Sequence, residues 1–467
     1  MTMPTLTIII LNHNGRNHLG ACLRAVLALH GLPGPEGVLV ADNASADGSL
    51  QLVARDFPAV GRLELDRNLG FAEGNNRAAA AVDTDYVFFL NNDTAIEPTA
   101  LAALWPVIGQ GAMAAGARLV SWDGRRLDFD GGGAAFTGHG HALGFGRPVP
   151  RRSVGEVDGA GSARKAEAAG KVGEADAAGK AGEADAAGRK RETNAAGKAQ
   201  PLGCPTLFNS GAALLVHRRT FLDLGGFDPS YFAYYEDVDL GWRLQLAGHA
   251  VRHVPSAVVR HRHGGSAAHL ATGAAARLYE RNAIATVVKN YDELNLRRIL
   301  PAALALAAVR AGADPGVIDE IDPATMAGTL PATLGAVDPS SSAGLPIPSP
   351  NWSGWSALAG LELDWPALAA ARGRVQAARK QPDSALVPLF RMPYSPVPPS
   401  ASSRQALERA VLRFGIQAIC GPMKPSETRS AAAPLIEGAL DAWFAGGLRA
   451  LAAEGRRYLA WRWRGWL

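Results

Sequence analysis

The sequence predicts an α/β fold whose mostly parallel sheet is covered by helices on both faces. Short apolar runs alternate along the chain with stretches of helical periodicity, the pattern of strands joined by crossover helices. Three of these runs end directly in polar clusters, at 12–14, 42–47 and 91–93. Because ligands on such sheets bind at the carboxyl ends of the strands, the clusters predict a binding site along that edge.

The individual elements follow from the spacing of apolar residues and from turn-forming residues. In the first part of the chain, the predicted strands are 5–11, 37–42, 62–65 and 86–90, and the predicted helices are 16–30, 49–57, 71–82 and one that begins at Glu97. A second patterned block, 207–291, adds strands 210–216 and 253–261 and helices 237–247 and 270–289. Gly248 is a typical stop signal for the helix before it.

Composition divides the chain into three regions. Residues 1–295 are predicted to form one domain, interrupted at 151–200 by a segment of Ala, Gly, Lys and Glu that contains the near repeat GKVGEADAA and GKAGEADAA. Such a segment cannot bury enough apolar surface to offset its ordering entropy, so we expect a flexible insertion that interrupts the domain. Residues 296–403 are predicted as a helical and Pro/Ser-rich linker region, and 404–467 as a helical region with a basic-aromatic tail.

Charge and cysteine content exclude several classes of protein. The 47 Lys and Arg nearly balance the 43 Asp and Glu, and the net charge of +4 argues against a nucleic-acid partner. The three cysteines form no zinc pattern and fit a reduced compartment. No signal peptide is recognisable, and no apolar run reaches the roughly 18 to 20 residues of a spanning helix. These features predict a cytoplasmic protein.

The strand at 86–90 runs directly into Asn91, Asn92 and Asp93. A carboxylate at a strand end, with polar neighbours, can hold Mg²⁺ or Mn²⁺ against a diphosphate. Taken alone, the cluster is better explained by turn formation, because Asn and Asp are common after strands.

Two further clusters suit a nucleotide. Asp42 ends a predicted strand where a base or ribose would lie. Asn68 precedes Gly70 and Gly74 at the start of a predicted helix, where glycines allow a diphosphate to approach the backbone. The spacing is not GxGxxG, so it gives no dinucleotide fingerprint.

An acidic cluster opens the helix predicted at 237–247. Glu236, Asp237 and Asp239 all lie in its first turn, where helix capping and the helix dipole favour carboxylates. Three acids exceed what capping requires, and the sharper alternative is a base that takes a proton from a hydroxyl. His261 ends a predicted strand and is either structural or a metal ligand in the same cleft.

Together, six motifs resemble family 2 glycosyltransferases, and most closely their rhamnosyltransferase-like members. The resemblance covers residues 5 to about 291 apart from the insertion, and it implies the GT-A fold of nucleotide-diphospho-sugar transferases, followed here by a helical, partly irregular C-terminal region. The motifs occur in the family's order as TIIILNHNG, VADNASADGS, NLGFAEGNN, VFFLNND, GAALLVHRRTFLDLGGFDPSYFAYYEDVDLGWRLQLAG and HRHGGS.

The resemblance also implies roles for single residues. Asp237 of the Glu236–Asp237 pair would be the catalytic base. Asp93 and His261 would hold Mn²⁺ or Mg²⁺, although only the last position of the family's DxD motif is acidic here. The implied donor-binding residues are Asn12, Asp42, Asn43, Asn68, Gly70, Asn91 and Asn92, and the expected acceptor-side residues are Tyr235, Asp239 and Trp242.

The implied function is inverting, metal-dependent transfer of a sugar from a nucleotide diphosphate donor, with dTDP-rhamnose as the candidate, to a glycan or polyprenyl-linked acceptor in cell-surface polysaccharide synthesis. One rival is a GT-A domain that binds nucleotide or glycan without turnover. Another is a nucleotidyltransferase, which would need a Gly-rich basic loop that residues 12–15 do not provide. The Arg- and Trp-rich tail at 456–467 suits either peripheral contact with the inner face of the membrane or packing on the domain.

Overall fold

The computed structural model describes residues 4–29, 36–150, 203–262, 274–312, 360–361 and 364–392. The predicted insertion, most of the Pro/Ser-rich linker, the C-terminal region 404–467 and the His263–Ser266 end of the last motif lie outside the described residues. None of the helices described is both long enough and apolar enough to cross a membrane.

A ten-stranded mixed sheet forms the centre of the molecule. Its strands are β1 Leu6–Asn12, β2 Glu36–Asp42, β3 Gly61–Glu64, β4 Tyr86–Asn91, β5 Thr94–Ile96, β6 Ala114–Ser121, β7 Leu127–Phe129, β10 Cys204–Pro205, β11 Ala213–His217 and β12 Val251–His261. A small second sheet contains β8 Gly132–Ala135, β9 Gly140–Ala142 and β13 Phe390–Met392.

The main path through the large sheet is β10-β12-β6-β11-β4-β1-β2-β3. On this path only β10 and β11 oppose the common direction, and off it the short strands β5 and β7 do so as well, so the sheet is mostly parallel, as predicted. In the register, Asn12 lies beside Asp42, and Leu11 lies beside Asn91. The polar clusters at the ends of β1, β2 and β4 therefore meet at one edge, which confirms the α/β prediction.

Helices cover both faces of the sheet, and this explains the unbroken apolar character of β1. Successive residues of a strand point to opposite faces, so a strand buried on both sides needs apolar residues throughout. Ile8 and Ile10 belong to one core cluster, whereas Ile9 belongs to the other. The helices are α1 Arg16–Leu27, α2 Ser49–Asp56, α3 Gly70–Ala80, α4 Ala100–Gly109, α5 Arg218–Asp223, α6 Glu236–Leu246, α7 Ala274–Asn290, α8 Glu293–Gly312 and α9 Trp365–Ala378.

The packed unit extends beyond the boundary predicted at residue 295. That position falls inside α8, whose buried Leu296, Ile299 and Leu306 belong to the same core cluster as Ile8. Further along the predicted linker region, α9 packs on α7, and Arg372 donates hydrogen bonds to the carbonyls of Val288 and Tyr291. The structure thus corrects the boundary: α8 and α9 complete the domain.

Candidate functional site

A network of amide side chains joins the ends of β1, β2 and β4. The Nδ2 of buried Asn12 lies 3.0 Å from Oδ1 of Asp42 and 2.8 Å from Oγ of Ser49, and its Oδ1 accepts a hydrogen bond from Nδ2 of Asn92. Asp42 also accepts from the backbone N–H of Ser45 at 2.9 Å. These contacts fix the loops that form the predicted donor side of the cleft.

Asn43 ties the loop after β2 to the start of α3. Its Nδ2 donates to Oδ1 of Asn68 and to the carbonyl of Gly70, and its Oδ1 accepts from the N–H of Leu69. The predicted donor-binding residues Asn43, Asn68 and Gly70 are therefore in mutual contact. Gly70 has a φ of 76°, and a Cβ there would stand 2.6 Å from the ring and the carbonyl oxygen of Phe232. Close packing on Phe232 thus explains the glycine.

Asp93 and His261, predicted as metal ligands, face one another across the cleft. Oδ1 of Asp93 lies 3.4 Å from Nε2 of His261, and it is buried with no hydrogen-bond partner among the described residues. On the other side of the ring, Nδ1 of His261 lies 2.6 Å from Oδ2 of Asp128. The sequence analysis missed Asp128, which no motif marks.

His261 and Asp93 each shift the pKa of the other. Burial opposes a charged imidazole, but hydrogen bonds and ion pairing with Asp128 and Asp93 raise the pKa of His261 to about 9. Burial likewise opposes the ionised form of Asp93, but contact with His261 keeps the pKa of that carboxyl below its ordinary value. A bound cation would displace the imidazole proton and take its place beside the carboxylate.

Among the described residues, no group of three or more His, Cys, Asp or Glu side chains has the arrangement of a metal site. The two residues predicted as ligands, Asp93 and His261, nevertheless lie 3.4 Å apart, and the buried Oδ1 of Asp93, which accepts no hydrogen bond among the described residues, suits a hard cation. Mg²⁺ commonly takes only one or two carboxylates from a protein and the rest of its ligands from phosphates and water. The residues present therefore fit a metal that is completed by a diphosphate.

Glu236 and Asp237 open α6, where Glu236 is buried and Asp237 is half-buried. Oδ2 of Asp237 accepts from the N–H of Gly211, and Oδ1 accepts from the N–H of Val238. Burial raises the pKa of Asp237 to about 6. Burial, together with the charge of Asp237, raises the pKa of Glu236 well above its ordinary value. Oε2 of Glu236 has no hydrogen-bond partner in the described part of the chain.

Backbone contacts connect this carboxylate pair to the donor side. Gly211, which donates to Asp237, precedes Ala212, and the carbonyl of Ala212 accepts from the N–H of Asn91. At the start of α3, the N–H of Phe71 donates to the carbonyl of Phe232. The neighbouring residues Gly211 and Ala212 therefore link Asp237 to the Asn91–Asp93 corner.

The loop that leads into α6 is strained. Phe232, Tyr234 and Tyr235 all have positive φ values, of 60°, 66° and 71°. Large side chains avoid this region, and such residues concentrate at functional sites. Nδ2 of the fully buried Asn282, on α7, lies 2.8 to 3.2 Å from the carbonyls of three residues of this segment, namely Tyr231, Ala233 and Tyr234. Sequence analysis identified neither the strain nor this clamp.

An aromatic surface stands beside the carboxylate pair. The ring of Tyr279, on α7, lies 4.7 Å from that of Tyr234 and 5.4 Å from that of Tyr235. Tyr279 is 43% exposed, whereas Tyr235 is buried. Of the predicted acceptor-side residues, Tyr235 is thus close to Asp237, and its exposed neighbour is Tyr279.

The other two acceptor-side predictions do not fit the structure. Asp239 is fully buried and pairs with Arg243 at 2.7 Å and Lys289 at 2.9 Å. Trp242 is also buried and packs edge-on against Tyr291 at 4.9 Å. A residue two positions along a helix points roughly 200° away, so Asp239 cannot share the orientation of Asp237. Both residues hold α6 against α7 and the region around it.

The sequence is similar to those of known glycosyltransferases. The model of the family described as Glycosyl transferase family 2 matches residues 7–134. N-acetylglucosaminyl-diphospho-decaprenol L-rhamnosyltransferase from Mycobacterium tuberculosis is 30% identical over 244 residues, which are 49% of this chain and 66% of that protein. The chain therefore spans just under two thirds of that relative.

Two further similarities are shorter or more distant. Rhamnosyltransferase WbbL from Escherichia coli K12 is 45% identical over 47 residues, covering 10% of this chain and 18% of its own. A crystal structure of residues 1–349 of TarS from S. aureus superposes with a TM-score of 0.41 at 11% identity, over 88% of this chain and 92% of that one.

Proposed function

We propose that the protein is an inverting glycosyltransferase of family 2, because the family described as Glycosyl transferase family 2 matches residues 7–134. Its donor is a nucleoside diphosphate sugar, for which dTDP-rhamnose is the first candidate because two relatives are rhamnosyltransferases. Its acceptor is a lipid-linked saccharide, as the name of the mycobacterial relative suggests. The observation that supports the proposal is the Glu236–Asp237 pair at the end of a strained loop, linked through Gly211 and Ala212 to the Asn91–Asp93 corner.

Asp237 is the better candidate for the base. A general base works best when its pKa lies near the operating pH, and burial raises that of Asp237 to about 6. For Glu236, burial and the charge of Asp237 raise the pKa well above its ordinary value, which favours the protonated form of that carboxyl. Two adjacent acids with different environments thus divide into a base and a neutral neighbour.

In the transfer step, the acceptor hydroxyl gives its proton to Asp237 while its oxygen forms a bond to the anomeric carbon. The bond from that carbon to the diphosphate breaks at the same time, and the nucleoside diphosphate leaves with the electron pair. Asp93 and His261 would hold the divalent cation, which supplies positive charge for the leaving diphosphate. Asn12, Asp42 and Asn43 keep the loops around the nucleotide in place.

On the acceptor side, Tyr279 and Tyr234 form the exposed wall beside Asp237. A sugar ring has an apolar face of C–H groups that packs on an aromatic ring, while its hydroxyls remain available for hydrogen bonds. A saccharide lying on Tyr279 would bring one hydroxyl towards Asp237, and this is the arrangement that a base requires.

The direct test is to incubate the protein with dTDP-rhamnose, a GlcNAc-diphospho-polyprenol and Mn²⁺, and to follow the product by mass spectrometry. We expect a rhamnosylated lipid, with transfer stimulated by Mn²⁺ in the wild type and no such stimulation in Asp93→Ala. Binding of the donor without transfer to any acceptor of a saccharide panel would instead favour a domain that only binds nucleotide. Equal metal response in Asp93→Ala would exclude Asp93 as a ligand.

A lipid-linked acceptor also implies that the protein works at a membrane surface. The proposed contact is the tail at 456–467, where Arg and Trp alternate. Each Arg near an anionic surface contributes about 1 kcal/mol, so such binding would weaken as salt rises. This proposal rests on sequence alone, since the tail lies outside the described residues.

A further inference from the structure

Asp128 lies behind His261 on a strand of its own. β7 runs antiparallel to β6 along one edge, with Phe129 paired to Leu119, while β12 runs along the other edge of β6 and ends at His261. Asp128 and His261 therefore approach each other across β6. Their side chains are only 9% and 11% exposed, and 2.6 Å separates Oδ2 of Asp128 from Nδ1 of the ring.

The two nitrogens of the imidazole have different neighbours. Nδ1 faces Asp128, whereas Nε2 faces the unpartnered Oδ1 of Asp93 at 3.4 Å. A neutral imidazole that donates from Nδ1 to a carboxylate presents the lone pair of Nε2 on its opposite side. That lone pair would then point to the place where the oxygen of Asp93 is also directed.

We propose that Asp128 is a positioning residue, which orients the ring of His261 and fixes its tautomer so that Nε2 and Asp93 together bind a divalent cation. The proposal rests on the metal use proposed above and adds the residue that prepares the site. Ligating histidines usually donate their second N–H to such a partner, and loss of that partner typically weakens metal binding by about 10- to 100-fold.

The competing explanation is an ion pair that only anchors β7 to the sheet, and the chain contains a matched control for it. Asp130, two residues further along, accepts from Nε2 of His253 at 2.9 Å and pairs with Arg118. This second Asp–His pair has no contact with Asp93 in the described structure. Asp130→Asn should therefore lower stability without changing metal affinity.

The experiment titrates Mn²⁺ into the full chain in the presence of dTDP and monitors free Mn²⁺ by electron paramagnetic resonance. We expect about 10- to 100-fold weaker Mn²⁺ binding in Asp128→Ala. Asp128→Asn keeps an oxygen acceptor and the shape of the side chain, so it should lose less. Binding of dTDP without metal should be the same in all variants, and nitrogen-15 NMR of the metal-free protein at a pH above 9, where the ring is neutral, should show loss of the single tautomer in Asp128→Ala.

Unchanged Mn²⁺ affinity in a folded Asp128→Asn and Asp128→Ala would overturn the inference, and so would a loss that Asp130→Asn reproduces. The wild type and Asp93→Ala separate this failure from failure of the proposed function. If wild-type protein with dTDP binds no Mn²⁺, the proposed metal use itself is wrong. If the wild type binds and Asp93→Ala does not, only the role of Asp128 is in question.

Discussion

The donor side of the site, around Asn12 and Asn43, and the base side, at residues 232–237, differ in how their polar groups and backbone are held. On the donor side, buried amides such as Asn12 and Asn43 have their hydrogen bonds made by neighbouring loops. On the base side, Tyr234 and Tyr235 have positive φ values, and Glu236 carries a buried oxygen without a partner in the described residues. The donor side is a hydrogen-bonded polar network in which the small residues Asn14 and Ala44 have positive φ, whereas on the base side three large aromatic residues adopt this costly conformation.

Because of this difference, substitutions on the two sides should affect stability and turnover differently. Removing a satisfied buried amide leaves its former partners unpaired and lowers stability. Removing a group whose burial is unfavourable costs little stability, but it removes the chemistry for which the strain is maintained. Stability and turnover should therefore depend on different residues of the same cleft.

The largest effect is expected from Asp237→Asn. The amide keeps an oxygen that can accept from Gly211 or Val238, but it cannot take a proton from the acceptor. The transfer rate should fall by about a hundredfold or more, with melting temperature and dTDP affinity near those of the wild type. Kinetics with saturating donor, together with thermal unfolding, would measure both.

Asp239→Asn is the control for Asp237→Asn. It changes the same side chain in the same helix turn, but it breaks the buried pairs with Arg243 and Lys289. Stability should fall by about 3 to 5 kcal/mol, because Arg243 and Lys289 lose a buried carboxylate, although Lys289 keeps its pair with Asp228. Normal transfer by Asp237→Asn, or an equal loss of stability in both variants, would remove the distinction between them.

The pH profile should show the base directly. Burial raises the pKa of Asp237 to about 6 from an ordinary 3.8, so kcat should rise about tenfold per pH unit below 6 and level off above it. Stability should change in the opposite direction. Because the folded state favours the protonated form of Asp237, the contribution of this carboxyl to the free energy of unfolding falls as the pH rises from about 4 to about 6. Because Glu236 and Asp237 interact, the inflection belongs to the pair. A flat kcat profile across this range would contradict a buried carboxylate base.

Much of the fold was predictable because its signals are local. The apolar run of β1 and the polar residues at its end indicate a strand buried on both faces, and the structure places that strand at Leu6–Asn12. β7, β8 and β9 were missed, because they have three or four residues each and β8 is only Gly and Ala. The boundary at 295 was misplaced, because the Ala-rich α8 has no strongly one-sided apolar pattern to indicate its partner.

The site was predictable where its residues follow strand ends or open α6. Asp128, Tyr279 and Asn282 were missed, because each lies far along the chain from the side chain it contacts and no motif surrounds it. Asp239 was misassigned for a different reason: sequence adjacency to Asp237 was taken as shared orientation, which a helix does not allow at a spacing of two. No sequence signal marks the positive φ values of Phe232, Tyr234 and Tyr235, because these residues are aromatic rather than Gly or Asn.

Asn282→Ala should slow transfer although it leaves the proposed base, Asp237, unchanged. The change removes the amide that holds the carbonyls of Tyr231, Ala233 and Tyr234, so the strained loop can relax. We expect kcat to fall about tenfold, which corresponds to about 1.4 kcal/mol, and dTDP affinity to stay unchanged. A crystal structure of the variant with φ of Tyr234 still positive, or an unchanged kcat, would show that the clamp is not needed.

Asn43→Ala is the matched change on the donor side. It removes one buried amide that bonds to Asn68, Leu69 and Gly70. Stability should fall by about 1 to 3 kcal/mol, and dTDP should bind several-fold more weakly, while kcat at saturating donor changes little. Chemical denaturation and calorimetry would measure the two losses. A fall in kcat as large as that of Asn282→Ala would mean that the two sides do not act separately.

The smallest effect is expected at Tyr279. This residue lies on the base side, but it does not have a positive φ and takes no part in the proposed proton transfer. Its ring is 43% exposed beside Tyr234, so Tyr279→Ala should leave melting temperature and donor affinity nearly unchanged. Losing the aromatic face should raise KM for the GlcNAc-diphospho-polyprenol by about fivefold, which corresponds to about 1 kcal/mol, with kcat retained. Tyr279→Phe keeps the face and should behave like the wild type. If Phe were as poor as Ala, the hydroxyl would be the contact and stacking would be the wrong explanation; if Ala left KM unchanged, the acceptor would have to bind elsewhere along the cleft.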